Sequence, residues 1–330
     1  MSQNIPMKLR DWVDQDKINW RYLSENPNAI QLLQQNLDKI DWQWLSCNPN
    51  AIQLLQDIQC KIKSEWWNEI IKNHNLFNNF WNFLSANPNA IPFLEQNPDK
   101  IDWNWLSRNT NAVHLLEQNP DKIYWDWLSS NPNAIRLLEQ NQDKIQWNYL
   151  SLNPNAVHLL EQNPDKIDWE WLSTNPNAIP ILEKNPDKIH WNCLSRNPNA
   201  IRLLEQNLHK VDWLWISYNP NALHLLEKNP DKINSYWLSK TPNAIQLLEK
   251  HPNKIDWRIL SLNPNAIHLL EQNPDKVDWK LLSRNPNIFI YDYEKMRESN
   301  KDIKEELIQR AWHPSRIAKW LQQGIDLEDL

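Results

Sequence analysis

Glycine is almost missing from this chain: Gly324 is the one example in 330 residues. Turns therefore cannot draw on glycine's freedom at positive φ, which leaves asparagine as the natural substitute, and there is no glycine-rich loop to cradle a phosphate. Cysteine is scarce as well. Cys47, Cys60 and Cys193 fall at three different places in the pattern described below, where they replace a variable, a polar and a core residue respectively. They form neither a disulfide framework nor a paired ligand spacing and read as reduced thiols. Positive charge is not in excess either: 35 Lys and Arg stand against 41 Asp and Glu, evenly spread, for a net charge of −6. That balance excludes a polyanion as the expected partner, because affinity for nucleic acid rests on concentrated positive charge. No stretch of 18 apolar residues occurs and no signal-type apolar run follows Met1. The expectation is a soluble chain that neither spans a membrane nor leaves by the secretory route.

What the chain does have is repetition. Asn-Pro-Asn-Ala or a close variant begins at 87, 109, 131, 153, 175, 197, 219, 241, 263 and 285, a period of 22 residues, with earlier copies at 26 and 48. Self-similarity on this scale means small units that each contact mainly their neighbours. The unit Asn131 to Leu152 splits into two halves that each open with asparagine, and in most copies both asparagines precede proline. Proline suits the first position of a helix and holds the residue before it extended, and asparagine is a strong N-cap, so each Asn-Pro predicts a helix start. Each helix then runs for about two turns, too short to persist in water without stacking. At 100° per residue, Ala134, Ile135, Leu137 and Leu138 share one face of the first helix, with Arg136, Glu139 and Gln140 outside. In the second half Ile145, Trp147, Tyr149 and Leu150 cover a wider arc.

The expected fold class is all-α: an α-solenoid of about twelve two-helix repeats, on the order of 100 Å long at ordinary helix spacing. A leucine-rich-repeat-like or β-solenoid coil is the competing reading, since Ile101, Trp103 and Trp105 alternate with period two. The missing Leu-x-Leu strand core and the Ala-Ile-x-Leu-Leu half oppose it. The domain plan is a preface at 1–15, the repeat solenoid at 16–290 with an irregular unit near 58–80, and a helical C-terminal cap at 291–330. The irregular unit reflects a 39-residue spacing between Asn48 and Asn87, read as the loss of part of a half, with a kink expected there. Residues 287–293 break the first-helix pattern with a run that can cover the last open core face. A capping-box-like Ser299 and Asp302 then open a charged helix to about Trp312, and a final helix runs from Ser315 to Gln323.

Framework positions hardly change, so recognition is expected where residues vary. One candidate interaction row holds His114, Arg136, His158, Arg202, His224, Gln246 and His268, each five residues after the opening residue of a repeat. A second holds Arg108, Arg196, Tyr218, Lys240 and Arg284, each just before one. The histidines of the first row are too far apart along the solenoid for two to share one ion, so no metal is expected. The leading tryptophans, Trp103, Trp125, Trp147, Trp169, Trp191, Trp213, Trp257 and Trp279, are assigned to the structural core. Aromatic rows also stack sugars or single-stranded bases, a further reading that the acidic balance disfavours for nucleic acid. Acids and histidines recur with the repeat instead of converging, and the repeated serine lies in no nucleophile motif and is read as helping to cap a helix. No catalytic residue and no cofactor are expected.

The string Leu-Ser-x-Asn-Pro-Asn-Ala-Ile-x-Leu-Leu-Glu-Gln-Asn-Pro-Asp-Lys-Ile-Asp-Trp runs complete from Leu84 to Trp103 but for Pro92-Phe93. It resembles tandem-repeat proteins of giant double-stranded DNA viruses, and residues 285–293 and Trp312 to Arg316 look like closing segments of such proteins. The resemblance covers nearly the whole chain. It implies a viral protein of the host cytoplasm or the virion, in a family whose members are generally uncharacterised. The function expected on these grounds is a non-enzymatic scaffold for protein–protein interaction, with a structural virion component as the alternative.

Overall fold

A computed structural model describes residues 5–61 and 79–299, together with positions 301, 304, 305 and 316. The chain is an all-α solenoid of short helix pairs packed in series. It divides into two compact units, Asp11–Ile288 on the one hand and the flanks Met1–Arg10 with Phe289–Leu330 on the other. Most of the expected helices from Ser299 to Gln323, and most of the irregular segment near 58–80, lie outside the described residues.

One repeat shows how the sequence folds. Asn131 Oδ1 accepts the amide of Asn133, making a tight turn without glycine, and the first helix follows at Ile135–Gln140. Its apolar face is as expected, with Ala134, Leu137 and Leu138 buried and Arg136, Glu139 and Gln140 exposed. The next asparagine does something other than start a helix. Asn141 Nδ2 donates back to the carbonyl of Leu137, closing the end of the first helix, and a single 3-10 turn, Gln142–Lys144, comes next. Ile145 and Gln146 are extended, and the second helix begins only at Trp147, running to Leu152. In half of the repeats its N-cap is an aspartate, such as Asp168, whose carboxylate accepts the amide of Trp171. The predicted asparagine cap of the second helix is thus corrected: proline turns the chain, and the acid before tryptophan caps.

The opening asparagine carries the main link between repeats. Asn153 is fully buried, and its Nδ2 donates to the carbonyls of Ser129 at 3.0 Å and Asn131 at 2.9 Å in the preceding unit, while Oδ1 accepts from Asn155. Both amide protons and the oxygen are satisfied, so the burial costs little. Ser151 adds a second tie: its hydroxyl donates to Trp147 O and accepts the Asp168 amide. The same pattern recurs along the chain as a buried polar ladder. It also crosses the irregular spacing, because Asn87 Nδ2 reaches Ser46 O and Asn48 O. The second helices Trp42–Cys47 and Phe80–Ala86 pack as ordinary neighbours. The extra residues between 48 and 87 are therefore an insertion that leaves the ladder whole, rather than a truncated unit.

The ladder has no end. Asn26 Nδ2 donates to Ser283 O at 3.1 Å and to Asn285 O at 2.9 Å, so the first repeat occupies the place of the one that would follow the last. The framework contacts of an ordinary junction are reproduced here. The Asn19 amide donates to Ser283 Oγ at 2.8 Å, Asn28 Nδ2 to Pro286 O at 2.9 Å, and the Lys17 ammonium sits over the Trp279 ring at 5.1 Å. The Asp11–Ile288 unit is a closed ring. The expected open rod is corrected: the first repeat takes the place next to the last. A contour on the order of 100 Å bends into a circle roughly 30 Å across at the helix axes.

A second correction concerns the core. Trp103, Trp125, Trp147, Trp169, Trp191, Trp213, Trp257 and Trp279 are half-buried, and the fully enclosed positions are Leu150, Ser151, Asn153, Ala156 and Leu160 and their equivalents. Helices this short leave room between layers mainly for aliphatic side chains and the ladder, with Phe80 and Phe93 the buried aromatic exceptions in the ring. The indole lies at the seam between units, its free face covered by a lysine one repeat on, as Lys166 covers Trp147 at 4.5 Å. Leu150→Ala is accordingly expected to cost about 3–5 kcal/mol and Trp147→Ala only about 1–3 kcal/mol in urea unfolding. One rung is imperfect. Thr241 stands where other repeats have asparagine, and its single hydroxyl proton is shared among Ser217 O and neighbouring carbonyls. Thr241→Asn supplies the second donor and should raise stability by about 1 kcal/mol, read as a higher urea midpoint at unchanged slope.

In the other unit, β1 (Met7–Leu9) pairs antiparallel with β2 (Phe289–Tyr291), Leu9 opposite Phe289 and Met7 opposite Tyr291. A helix follows at Tyr293–Ser299, and Asp292 accepts the Lys295 amide at its start. Among the described residues no helix is long and apolar enough to cross a membrane.

Candidate interaction face

The two candidate rows fall on opposite sides of the ring. Successive second helices lie directly against one another, whereas successive first helices stand further apart. In a closed circle the tighter spacing belongs to the inner circumference, so second helices form the inner wall and first helices the outer one.

Four of the seven residues of the outer row are already partnered. His114 bonds Glu95 of the preceding repeat at 3.2 Å, and His158–Glu139, His224–Glu205 and His268–Glu249 follow suit at 2.8–2.9 Å. Their regular nineteen-residue offset marks them as exposed links between neighbouring first helices. Arg136, Arg202 and Gln246 lie on the same wall, Arg136 and Arg202 exposed to solvent. None of these side chains converges with another on a common point.

The inner row is different. Arg108, Arg196, Tyr218, Lys240 and Arg284 end their second helices, where each meets the second aromatic residue of its own or the next repeat. These aromatics form an interrupted run: Tyr22–Trp44 at 5.8 Å, Phe83–Trp105 at 5.7 Å, Trp127–Tyr149 at 5.5 Å, Tyr149–Trp171 at 5.9 Å and Trp215–Trp237 at 5.2 Å. The Arg108 guanidinium lies 4.3 Å from the Trp127 centroid and 5.7 Å from that of Trp105. Arg196 sits over Trp215, Lys240 over Trp237, and Arg284 over Tyr22 and Trp44. Tyr218 meets Trp237 edge-on at 5.1 Å. Arg284 also pairs with Glu25 at 2.8 Å, across the ring closure. Trp171 is 39% and Tyr218 40% exposed, which leaves aromatic edges open to a ligand.

Searches against protein-family models, curated proteins and solved structures returned no match. The face therefore has to be read from its own chemistry.

Sequence reasoning recovers the cations of this inner face but misses the aromatic residues between them. The signal is present: positions 22, 44, 83, 105, 127, 149, 171, 215 and 237 hold Tyr, Trp or Phe, with Cys193, Ile259 and Leu281 the exceptions. Variation in kind at nearly constant aromaticity separates this position from the fixed leading tryptophan. Two thiols differ in environment. Cys47 donates weakly to Gln43 O, and burial, with Glu25 nearby, pushes its thiol up to about 12. Its alkylation in a Cys60→Ser, Cys193→Ser background should therefore accelerate about tenfold per pH unit without levelling off below about pH 11, because only the thiolate reacts. Cys193 replaces one aromatic rung. Its sulfur, a Glu170 oxygen and a His190 nitrogen all lie within 4.8 Å of one another, a grouping drawn from two repeats that no local spacing announces.

Proposed function

We propose that the ring is a non-enzymatic scaffold that binds a protein partner through the aromatic and cationic inner wall. The observation that supports it is the run of half-buried rings interleaved with guanidinium groups. Tryptophan, tyrosine and arginine are the residues that dominate protein hot spots, where large rigid surfaces desolvate with little loss of entropy. Charge favours protein over nucleic acid: Arg108, Arg196 and Lys240 already face rings, Arg284 pairs with Glu25, and the chain is acidic overall. Strand tracking by phosphates needs uncommitted positive charge. A viral origin, with the protein acting in the host cytoplasm or the virion, is the setting that the resemblance of its repeats supports.

The test is paired affinity capture. Intact protein and an Arg108→Glu, Trp127→Ala, Arg196→Glu variant are compared with an outer-wall Arg136→Ala, His158→Ala variant. A protein recovered with the first and third baits and lost with the second supports the reading. Equal recovery with all three counts against it, as does tight, salt-sensitive binding of a single-stranded oligonucleotide.

A further inference from the structure

Three departures from an otherwise rigid repeat meet at one junction. His190 occupies the N-cap of its second helix, where half of the repeats place a capping aspartate, and its side chain caps nothing. Cys193, one turn later, replaces a ring in the aromatic run. Glu170 projects from the second helix of the preceding repeat, at a position where no other repeat carries glutamate. Their donor atoms fall within 4.8 Å of one another. Among the described residues none of these three side chains takes part in a hydrogen bond or ion pair. On the same wall the capping aspartates Asp41 and Asp168 hold amides, and Cys47 contacts Gln43 O. Glu170 and Cys193 also line a cavity of about 240 Å³ with Leu152, Trp171, Thr174 and Arg196. Arg196 is turned toward Trp215 of the next repeat, at 5.2 Å.

We propose that Glu170, His190 and Cys193 form a binding site for a borderline-soft divalent cation, with zinc the best match. One sulfur, one imidazole nitrogen and one carboxylate oxygen are ligands zinc accepts, whereas calcium and magnesium require oxygen alone. Tetrahedral bonds of about 2.0–2.3 Å place ligand atoms roughly 3.3–3.7 Å apart, so the three need to close by only about 1 Å, within the reach of rotamer adjustment. Three protein ligands leave a fourth position to water or to a donor from a bound partner. On binding, the Cys193 sulfur exchanges its proton for the metal, and that proton passes to solvent. His190 and Cys193 are three residues apart on one helical turn, so they share a face, and Glu170 arrives from the neighbouring unit. A bound ion therefore bridges two repeats.

Cobalt(II) titration of the full chain tests this. One equivalent is expected to give a thiolate-to-cobalt charge-transfer band that zinc displaces. Cys193→Ser should abolish the band, and His190→Asn and Glu170→Gln should each weaken zinc at least tenfold in competition with a chromophoric chelator. Cys47→Ser should leave both unchanged. In the unsubstituted protein, zinc should slow alkylation of Cys193 at least tenfold, a readout that depends on no variant folding correctly. Absence of the band at millimolar cobalt, its survival in Cys193→Ser, or unprotected Cys193 overturns the proposal.

Discussion

Replacing Asn153 with alanine is expected to destabilise the ring by about 3–5 kcal/mol, although the change removes only an amide group from a chain of this size. Asn153 is 0% exposed and donates to two carbonyls of the preceding repeat while accepting an amide of its own turn. Alanine withdraws all three bonds at once and leaves their partners in a site that water cannot readily enter. Each lost bond to a buried group weighs about 1–3 kcal/mol, and neighbouring rungs absorb part of the loss. Asn153→Asp separates chemistry from shape. It keeps the size and the acceptor oxygen but points a carboxylate at two carbonyl oxygens, so it should cost more than alanine at pH 7. The sign of its pH dependence follows. Desolvation and the facing carbonyls raise the folded-state pKa of the new acid above its unfolded value. The folded state then holds the proton more tightly, so the deficit relative to the parent is smallest below the unfolded pKa. It grows as pH rises toward the folded one and is complete above it. Urea midpoints at several pH values measure this, and a deficit independent of pH would contradict the ladder geometry.

The same residue shows what can be read locally and what cannot. Asparagine before proline reads as an N-cap, and its oxygen does hold a turn amide, as Asn131 does for Asn133. The nitrogen's task is set by a neighbour 22 or 24 residues away, and local sequence chemistry does not reveal it. The first helix is legible because a one-sided amphipathic stripe has a single solution: Ala134, Leu137 and Leu138 in, Arg136 and Glu139 out. The second half gives a mixed signal, and the reason is physical. Ile145 and Gln146 are extended before Trp147 begins its helix, so alternation with period two is a true local feature inside an all-α unit. Tryptophan is misplaced by sequence reasoning because size and apolarity predict burial, whereas an indole with a lysine over one face is stable at a seam. Both candidate rows emerge from variability alone. Variability cannot say that the histidines of one are hydrogen-bonded to glutamates on the outer wall while the other lies among rings on the inner.

Excising one unit, residues 131–152, should do far more damage than the loss of a twelfth of the structure. The cut joins Ser130 to Asn153 in register, so every junction along the remaining chain can form as before. In an open solenoid, stability is close to a sum of unit and interface terms, and removing one interior copy leaves a slightly shorter rod with its ends unaltered. A ring cannot behave in that way. Twelve units complete the circle at an average turn of about 30° each, and eleven must either bend further at every junction or part at one. Close packing resists spreading that strain evenly, because interiors do not deform continuously. The weakest junction should open, and the closure is the one with no peptide bond carrying the chain from one repeat to the next. Opening it forfeits the Asn26, Asn28 and Asn19 bonds and the Glu25–Arg284 pair, on the order of 5 kcal/mol in all. Two measurements decide the matter. Hydrogen exchange at the Asn19 amide, which donates to Ser283 Oγ in the intact protein, should rise by orders of magnitude in the excised chain, while the amide of Asp212, tied to Ser195 inside the arc, keeps its protection. Small-angle scattering should report a larger maximum dimension from a shorter polypeptide. If the excised chain instead keeps Asn19 protected and simply shrinks, the junctions are flexible enough to close with eleven, and the repeat's own curvature does not dictate the size of the circle.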